Sequence, residues 1–302
     1  MHRAAKIRKI AYFCGVIGIK LHIVKKHFTE MLAAVFSQRE AEQLMRILLE
    51  DLFSIDLKSL ILNPEMTIDE IQHHDLEQAI DRLLQGEPVQ YVTRVAHFGD
   101  LILKVNPSVL IPRPETEEIV QKIIAEVPGF SPKRIWDIGT GSGCIAIALA
   151  KHFTDAEVFA FDVSEAALAT ARENALLNKV KVGFVCDDVL HPQSEIFYKP
   201  VDLVVSNPPY VRELEKVDME HNVLDYEPTT ALFVPDDDPL RFYRQILRLA
   251  KKQLNPGGEV WFEINEAMGK EMLDLCKVEG YAKAEIFVDF AGKARSCRAI
   301  FS

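Results

Sequence analysis

Strand-like and helix-like patterns alternate along the chain from Arg134 to its end. Short apolar runs rich in β-branched residues are followed by longer amphipathic stretches, which is typical of a parallel sheet with helices on both faces. The predicted strands are 134–138, 157–161, 181–186, 201–206, 259–264, 284–288 and 298–301. The predicted helices lie near 143–152, 165–177, 239–253 and 266–278. This part of the chain therefore predicts a doubly wound α/β fold.

The region before it has helical periodicity. Ser37 and Glu40 form a capping box that opens one amphipathic helix, and Thr67 and Glu70 form another. We predict a small helical bundle over 28–88. The bundle carries no catalytic constellation, so we expect it to dock a substrate. A purely structural cap remains the alternative.

Residues 89–111 have strand character, with Leu101, Leu103 and Val105 at alternate positions and Gly99 and Asp100 at a turn. This pattern predicts a β-hairpin linker. Prolines then hold an extended segment, after which Thr116 is expected to cap the next helix. The remaining domain is predicted to span 112–302.

The first 27 residues form an uncertain N-terminal extension, 1–27, in which basic residues flank an apolar run at 10–19. The run is too short to span a bilayer, and no small-residue cleavage site follows it. We therefore expect a poorly packed extension of a cytoplasmic protein rather than a secretion signal or a membrane segment.

Composition narrows the function classes. The chain has 302 residues and a net charge of −10, which argues against broad nucleic-acid binding because such binding depends on neutralising phosphates. Its five cysteines form no Cys-x-x-Cys pair, which favours a reducing compartment. Its nine histidines show no His-x-x-x-His spacing, so we expect no metal site.

The most informative stretch is the strand 201–206 followed by Asn207, Pro208, Pro209 and Tyr210. Two prolines end the strand and hold Asn207 extended, which makes a rigid ledge at the edge of the sheet where ligands bind. The Asn207 side-chain carbonyl and the Pro208 backbone carbonyl can accept both N–H groups of a planar amide or amino group, while Tyr210 stacks on its face. We therefore predict Asn207, Pro208 and Tyr210 as catalytic, and these three with Pro209 as substrate-binding. Taken alone, the motif is also typical of a strand-ending turn with a capping Asn.

A glycine-rich loop follows the first predicted strand. The dinucleotide fingerprint does not fit, because Cys144 stands where its third glycine belongs. The pattern Asp-x-Gly-x-Gly-x-Gly fits an S-adenosylmethionine loop. Asp162 ends the second strand, where a carboxylate can take the ribose hydroxyls, and Asp188 and Val189 end the third, where they can meet adenine. The predicted cofactor-binding set is Gly139, Thr140, Gly141, Ser142, Gly143, Asp162, Asp188, Val189 and Asn207.

With these motifs, the chain resembles the HemK/PrmC family, the peptide chain release factor glutamine methyltransferases. The resemblance runs from about residue 30 to the end, and Ile-Pro-Arg-Pro-Glu-Thr-Glu at 111–117 is far more specific than the Asn-Pro-Pro-Tyr motif. The other stretches that carry it are 86–91, 137–143, 206–211, 226–228, 231–232, 242–244, 263–264 and 289–293. The chain departs from the family pattern at 234–240, where a Gly-Gly-x-Gly-Leu run is usual, and at Met268 and Ala294.

The resemblance implies methyl transfer from S-adenosylmethionine to the glutamine side-chain amide in the Gly-Gly-Gln motif of class I release factors. It also implies a seven-stranded Rossmann-like class I S-adenosylmethionine-dependent methyltransferase domain after the helical bundle. We expect release factors as partners, no stable nucleic-acid or membrane binding, and a monomer.

Two other functions remain open. A DNA or RNA amino-group methyltransferase would share Asn-Pro-Pro-Tyr because an exocyclic amino group has similar geometry, but it would need a basic groove. The acidic charge balance and the helical bundle disfavour it. The chain could also be an inactive, cofactor-binding interaction protein, which the intact motif at Asn207 and Tyr210 disfavours.

Overall fold

The computed structural model describes residues 18–126, 131–289 and 292–301. Most of the expected N-terminal extension, residues 1–17, lies outside the described residues. The chain divides into two units, Met1–Arg94 and Val95–Ser302. In the described part of the chain, no helix combines the length and the apolar character needed to cross a membrane.

The N-terminal unit is helical. Its elements are β1 (Ile19–Lys20), α1 (Leu21–Leu32), α2 (Gln38–Phe53), α3 (Leu57–Leu62), β2 (Thr67–Ile68), α4 (Glu70–Leu84) and α5 (Val89–Thr93). Apolar side chains from α1, α2 and α4 form its core, and β1 pairs with β2 in antiparallel orientation.

The structure changes three local expectations in this unit. Leu21 and Val24, expected in a poorly packed extension, are instead buried in the core. The cap of α4 is Asp69 rather than Thr67, because the Asp69 carboxylate accepts the Gln72 N–H at 2.8 Å. Val89–Thr93, expected as part of a β-linker, is a short helix.

The C-terminal unit contains a hairpin and a large sheet with helices on both faces. Its first elements are β3 (Val95–Phe98), β4 (Leu101–Lys104), α6 (Pro114–Glu126), β5 (Arg134–Ile138), α7 (Cys144–His152), β6 (Glu157–Asp162), α8 (Glu165–Leu177), β7 (Gly183–Cys186) and β8 (Val201–Ser206). The later ones are β9 (Val211–Arg212), α9 (His221–Tyr226), β10 (Phe233–Val234), α10 (Arg241–Lys251), β11 (Leu254–Glu263), α11 (Gly269–Val278), β12 (Lys283–Val288) and β13 (Ala294–Ile300).

Among the described residues, seven strands form one sheet in the order β12-β13-β11-β8-β5-β6-β7. The strands from β11 to β7 are parallel, whereas β13 runs antiparallel to both β11 and β12. This confirms the predicted seven-stranded α/β fold. The chain winds outward from β5 in one direction through β6 and β7, and in the other through β8. The carboxyl ends of β5 and β8 therefore flank a switch point, where a crevice is expected.

Alternating side chains of the central strands supply both apolar layers of this unit. Ile135 points into the layer shared with the hairpin and α6, whereas Trp136 points into the opposite layer with Phe161 and Tyr243. This alternation is the two-residue period of a strand that is buried on both faces.

Asn174 of α8, whose side chain is fully buried, fixes the hairpin to the rest of the C-terminal unit. The amide oxygen accepts the Lys104 N–H at 2.6 Å. The amide nitrogen donates to the Lys104 carbonyl and to the Ser142 carbonyl, each at 2.9 Å. One side chain therefore joins the hairpin, a helix and the glycine loop.

Candidate active site

A cavity lies at the carboxyl ends of β5 and β8. Its walls come from the loops after β5, β6, β7 and β8, from the segment before α6, and from α10. The parallel strands place these loops at one edge of the sheet, and the switch point separates them enough to leave a crevice.

The cavity brings together most of the residues predicted from the sequence. Its lining includes Gly139, Thr140, Gly141, Ser142, Asp162, Asp188, Val189, Asn207, Pro208 and Pro209. Gly143 and Tyr210 do not line it. A Cβ at Gly143 would lie 3.1 Å from side-chain atoms of Ala171 and Ile147, and its φ is +84°. Gly143 therefore allows helix packing behind the loop.

Asp162 holds the glycine loop in place from the end of β6. One carboxylate oxygen accepts the Gly141 N–H and the other accepts the Ser164 N–H, both at 2.9 Å. Burial raises the pKa of Asp162, although these hydrogen bonds oppose the shift. The carboxylate also lines the cavity, so it can accept a hydroxyl from a bound ligand.

Asp137 lies fully buried at the base of the same loop. Its Oδ2 accepts from the Thr140 hydroxyl at 2.6 Å and from the Ala146 N–H at 3.0 Å. Its Oδ1 has no hydrogen-bond partner among the described residues. Burial raises the pKa of Asp137 to about 7. Sequence reasoning recognised Asp137 only as part of a motif and missed this buried environment.

The loop after β7 contributes a second carboxylate to the cavity wall. Asp188 accepts from the Leu190 N–H and lies 2.9 Å from His191 Nδ1. Burial alone would raise the pKa of Asp188, but the hydrogen bonds from His191 and Leu190 hold it below its usual value. Asp188 therefore carries negative charge at this edge of the cavity.

Apolar residues that sequence reasoning did not select complete the wall. Val163 follows β6, and Phe242 and Ile246 line the cavity from α10. The last two stand one helical turn apart and so share a face of the helix. This spacing was visible in the sequence, but it cannot be distinguished there from ordinary core packing.

The ledge after β8 is braced by hydrogen bonds on both sides. The Ser206 hydroxyl donates to the Ile138 carbonyl at 2.6 Å, which joins the ends of β5 and β8. The Asn207 side-chain nitrogen donates to Thr116 Oγ1 at 3.3 Å. The Thr116 hydroxyl in turn donates to Glu263 Oε2 at 2.5 Å, and the Tyr210 hydroxyl donates to Glu263 Oε1 at 3.0 Å.

Thr116 does not cap α6, as the sequence suggested. The helix begins at Pro114, where a missing N–H costs nothing, so Thr116 lies inside its first turn. The hydroxyl is free to reach Glu263, the last residue of β11. Because Phe262 pairs with Ser206, Glu263 lies beside the start of the ledge.

Glu263, which is buried, and Tyr210, which is half-buried, form a hydrogen-bonded acid–phenol pair. Burial raises the pKa of Glu263, while the hydrogen bonds from Thr116 and Tyr210 oppose the rise. Burial and the nearby Glu263 charge also raise the pKa of Tyr210. The phenol therefore remains a donor, and the carboxylate accepts from two hydroxyls.

The buried carboxylate of Glu227 joins two segments of the cavity wall. Glu227 follows α9 and accepts from the Arg113 guanidinium at 2.5 Å and from the Ile111 N–H at 3.2 Å. Arg113, Ile111 and Pro228 all line the cavity. The Arg113–Glu227 ion pair therefore holds the segment before α6 against the loop after α9.

Comparison with known proteins gives matches over both units. The PrmC N-terminal domain family matches residues 25–93, and the Methyltransferase small domain family matches residues 112–227. The chain is 42% identical over 280 residues to the release factor glutamine methyltransferase of Flavobacterium psychrophilum, covering 92% of this chain and 98% of that protein. It is 42% identical over 272 residues to the protein of the same name from Bacteroides thetaiotaomicron, covering 90% and 97%.

A solved structure supports the fold. The 16S rRNA N2 G1207 methyltransferase of Thermus thermophilus, in complex with AdoMet and guanosine, gives a TM-score of 0.51 at 15% identity. The match covers 69% of this chain and 50% of that chain. At this identity, the similarity concerns the methyltransferase fold alone.

Proposed function

This chain belongs to the release factor glutamine methyltransferase family, and we propose that it methylates the glutamine of the Gly-Gly-Gln motif in class I peptide chain release factors. The side-chain amide nitrogen would take the methyl group of S-adenosylmethionine and lose one proton, with S-adenosylhomocysteine as the other product. The enzyme acts in the cytoplasm as a monomer and supports translation termination.

The observation that carries this proposal is the closeness of the glycine loop to the ledge. Both line one cavity, and a Cβ built at Gly139 would lie 3.9 Å from the Asn207 backbone oxygen. A cofactor held by the loop and an amide held by the ledge would therefore be neighbours. Such proximity is the main requirement for a group transfer between two bound molecules.

The residues present fit S-adenosylmethionine. Gly141 has a φ of +54°, and a Cβ built there meets no described atom within 4 Å, so its backbone is open to a ligand. We assign the ribose hydroxyls to Asp162 and the adenine to Asp188 and Val189. Phe242 offers an apolar surface on the same cavity. When bound, the cofactor supplies an electrophilic methyl group on a sulfonium.

The protein acts on the glutamine by orientation. An amide nitrogen is a weak nucleophile, and the ledge offers no base strong enough to deprotonate it. Asn207 Oδ1 and the Pro208 carbonyl accept its two N–H groups, which aim the nitrogen and stabilise the positive charge that develops on it. Tyr210 ends the ledge with its hydroxyl held by Glu263, and this hydrogen bond supports the ledge that holds the amide.

Methylation assays with Asn207 variants test this function. Wild-type enzyme is incubated with labelled S-adenosylmethionine and an intact release factor, and the modified residue is identified by mass spectrometry. Asn207→Ala is expected to lower the rate roughly 100-fold, the usual effect of losing one preorganised contact to a developing charge. Asn207→Asp keeps an acceptor and should retain more activity than the alanine variant.

Two controls separate the outcomes. A release factor with Glu in place of the motif glutamine has no amide nitrogen and should not be labelled. Calorimetry gives the cofactor Kd of the wild type and both variants, which separates a loss of methyl transfer from a loss of the cofactor contact also predicted for Asn207. The proposal would be contradicted if the label were found on nucleic acid instead, or if Asn207→Ala methylated the release factor at the wild-type rate.

A further inference from the structure

A buried carboxylate lies behind the ledge, where no cofactor-binding role accounts for it. Glu263 is 4% exposed and Thr116 is 3% exposed. We propose that Thr116 and Glu263 are positioning residues that determine which end of the Asn207 side-chain amide faces the substrate. The inference rests on the proposed function and adds two residues to the machinery of the same site.

The donor and acceptor capacities of the groups fix the direction of the chain of hydrogen bonds. Glu263 accepts from the Tyr210 hydroxyl through one oxygen and from the Thr116 hydroxyl through the other, so Thr116 gives its single proton to Glu263. Thr116 Oγ1 then has only lone pairs left, and these accept the Asn207 amide N–H at 3.3 Å. The Asn207 nitrogen is therefore drawn toward Thr116, which directs the carbonyl oxygen to the other side.

Packing alone could not make this choice. The NH₂ group and the oxygen of a side-chain amide have nearly the same size, so a half-turn of the amide leaves the packing unchanged and only hydrogen-bond partners distinguish the two orientations. In the reversed orientation, Asn207 would present N–H groups to a substrate amide that also presents N–H groups. That arrangement loses one of the two acceptors and places a donor beside developing positive charge.

Glu263 also anchors the far end of the ledge. Its second oxygen accepts from the Tyr210 hydroxyl, so one carboxylate positions both Asn207, through Thr116, and Tyr210 directly. Two hydroxyl donors stabilise the ionised carboxylate against its burial. The two residues come from the start of α6 and the end of β11, which brings both segments to the ledge.

The matched variants Thr116→Val and Thr116→Ser test the role of the hydroxyl. Valine keeps the shape of threonine but has no hydroxyl, so the Asn207 amide is free to reverse. We expect the methylation kcat of Thr116→Val to fall by roughly tenfold or more, with the cofactor Kd from calorimetry within about twofold of the wild type. Thr116→Ser keeps the hydroxyl and should recover most of the lost rate.

A double-mutant cycle separates positioning from an independent contact. If Thr116 acts through Asn207, Thr116→Val should cost less than about twofold in the Asn207→Ala background. Glu263→Gln is the second test, because its amide can donate to Thr116 and no longer dictates the direction of the chain. We expect Glu263→Gln to lower kcat as Thr116→Val does. If Thr116→Val melts below the assay temperature, the kcat of Glu263→Gln alone tests the positioning role.

The possible failures are distinct. No methylation of the release factor by the wild-type enzyme would overturn the proposed function. With an active wild type, equal kcat for Thr116→Val or Glu263→Gln, or full additivity with Asn207→Ala, would overturn the positioning role alone.

Discussion

Asp137, Asp162 and Glu263 each hold part of the cavity wall by accepting hydrogen bonds from hydroxyls or backbone N–H groups. Burial raises the pKa of all three. These carboxylates hold the loops in place, but their burial destabilises the charged form. The stability of the protein therefore depends on their protonation.

Asp137 gives a pH-dependent prediction. Its folded-state pKa of about 7 exceeds the ordinary value of 3.8, so between these pH values the folded state retains a proton that the unfolded state has lost. The free energy of unfolding should therefore fall as the pH rises through this window. Asp137→Asn removes the titration and should flatten that fall. Urea unfolding at about pH 5 and about pH 8 measures the difference.

Asp155→Asn is the matched control, because it also removes one carboxylate but from an exposed position. It should leave the wild-type pH dependence in place. If Asp137→Asn does the same, the buried carboxylate is not the group that titrates.

At the residue scale, the sequence revealed local motifs and missed their distant supports. The glycine loop and the ledge are contiguous, and their residue types follow from backbone geometry. The support from Glu263 could not be predicted, because Thr116 and Glu263 are 147 positions apart. Glu227 accepts the N–H of Ile111 from 116 positions away. Such pairs depend on the order of strands, which local patterns do not specify.

Elements of the large sheet were predictable because their central strands are buried on both faces and stand out as apolar runs. The predicted bounds of a strand were less accurate where its pairing register with a neighbouring strand changes. β11 begins at Leu254 rather than at 259, since an irregularity between Leu254 and Glu259 interrupts its pairing with β8. The short helix α5 was missed because five residues are too few to show a helical period.

The Arg113–Glu227 ion pair gives a prediction at the scale of elements, because it holds two segments of the cavity wall together. Glu227→Gln keeps the shape but removes the charge that faces Arg113, and Glu227 is 4% exposed. We expect it to lower the free energy of unfolding by about 2–3 kcal/mol, as is usual when a partly buried charge loses its partner. Urea unfolding at neutral pH measures this loss.

Glu157→Gln is the control, because it removes an exposed partner of Arg134 and should change the free energy by less than about 0.5 kcal/mol. Equal losses in the two variants would show that burial of the Arg113–Glu227 pair adds nothing to its contribution.

At the scale of the whole molecule, the candidate active site lies in one of the two units, and the other unit has its own core. The lining of the cavity lies entirely in Val95–Ser302, whereas the described residues of the first unit have a separate apolar core formed mainly by α1, α2 and α4. The fold class and the division into a helical and an α/β part were predictable from the change in hydrophobic period. The hairpin was expected as a linker, but its Phe98, Leu101 and Leu103 belong to the apolar core of the second unit.

A truncated enzyme tests the docking role that we propose for the helical unit. The chain from Val95 onward should bind S-adenosylmethionine with nearly wild-type affinity, because it contains the whole cavity. It should lose most activity toward an intact release factor, yet methylate a short Gly-Gly-Gln peptide at a rate similar to that of the full chain. Calorimetry and parallel assays on both substrates give the comparison. Equal rates for both enzymes on the intact factor would contradict the docking role.

The side chain of Asn174 has a further consequence, for the order in which the chain can fold during synthesis. The hairpin strand that ends at Lys104 leaves the ribosome before its partner, because the amide that binds Lys104 lies 70 positions later. A chain released in the order of its translation cannot fix this strand until most of α8 has emerged. Until then, the hairpin lacks this anchor, so a pause in translation before α8 emerges would leave the strand unfixed.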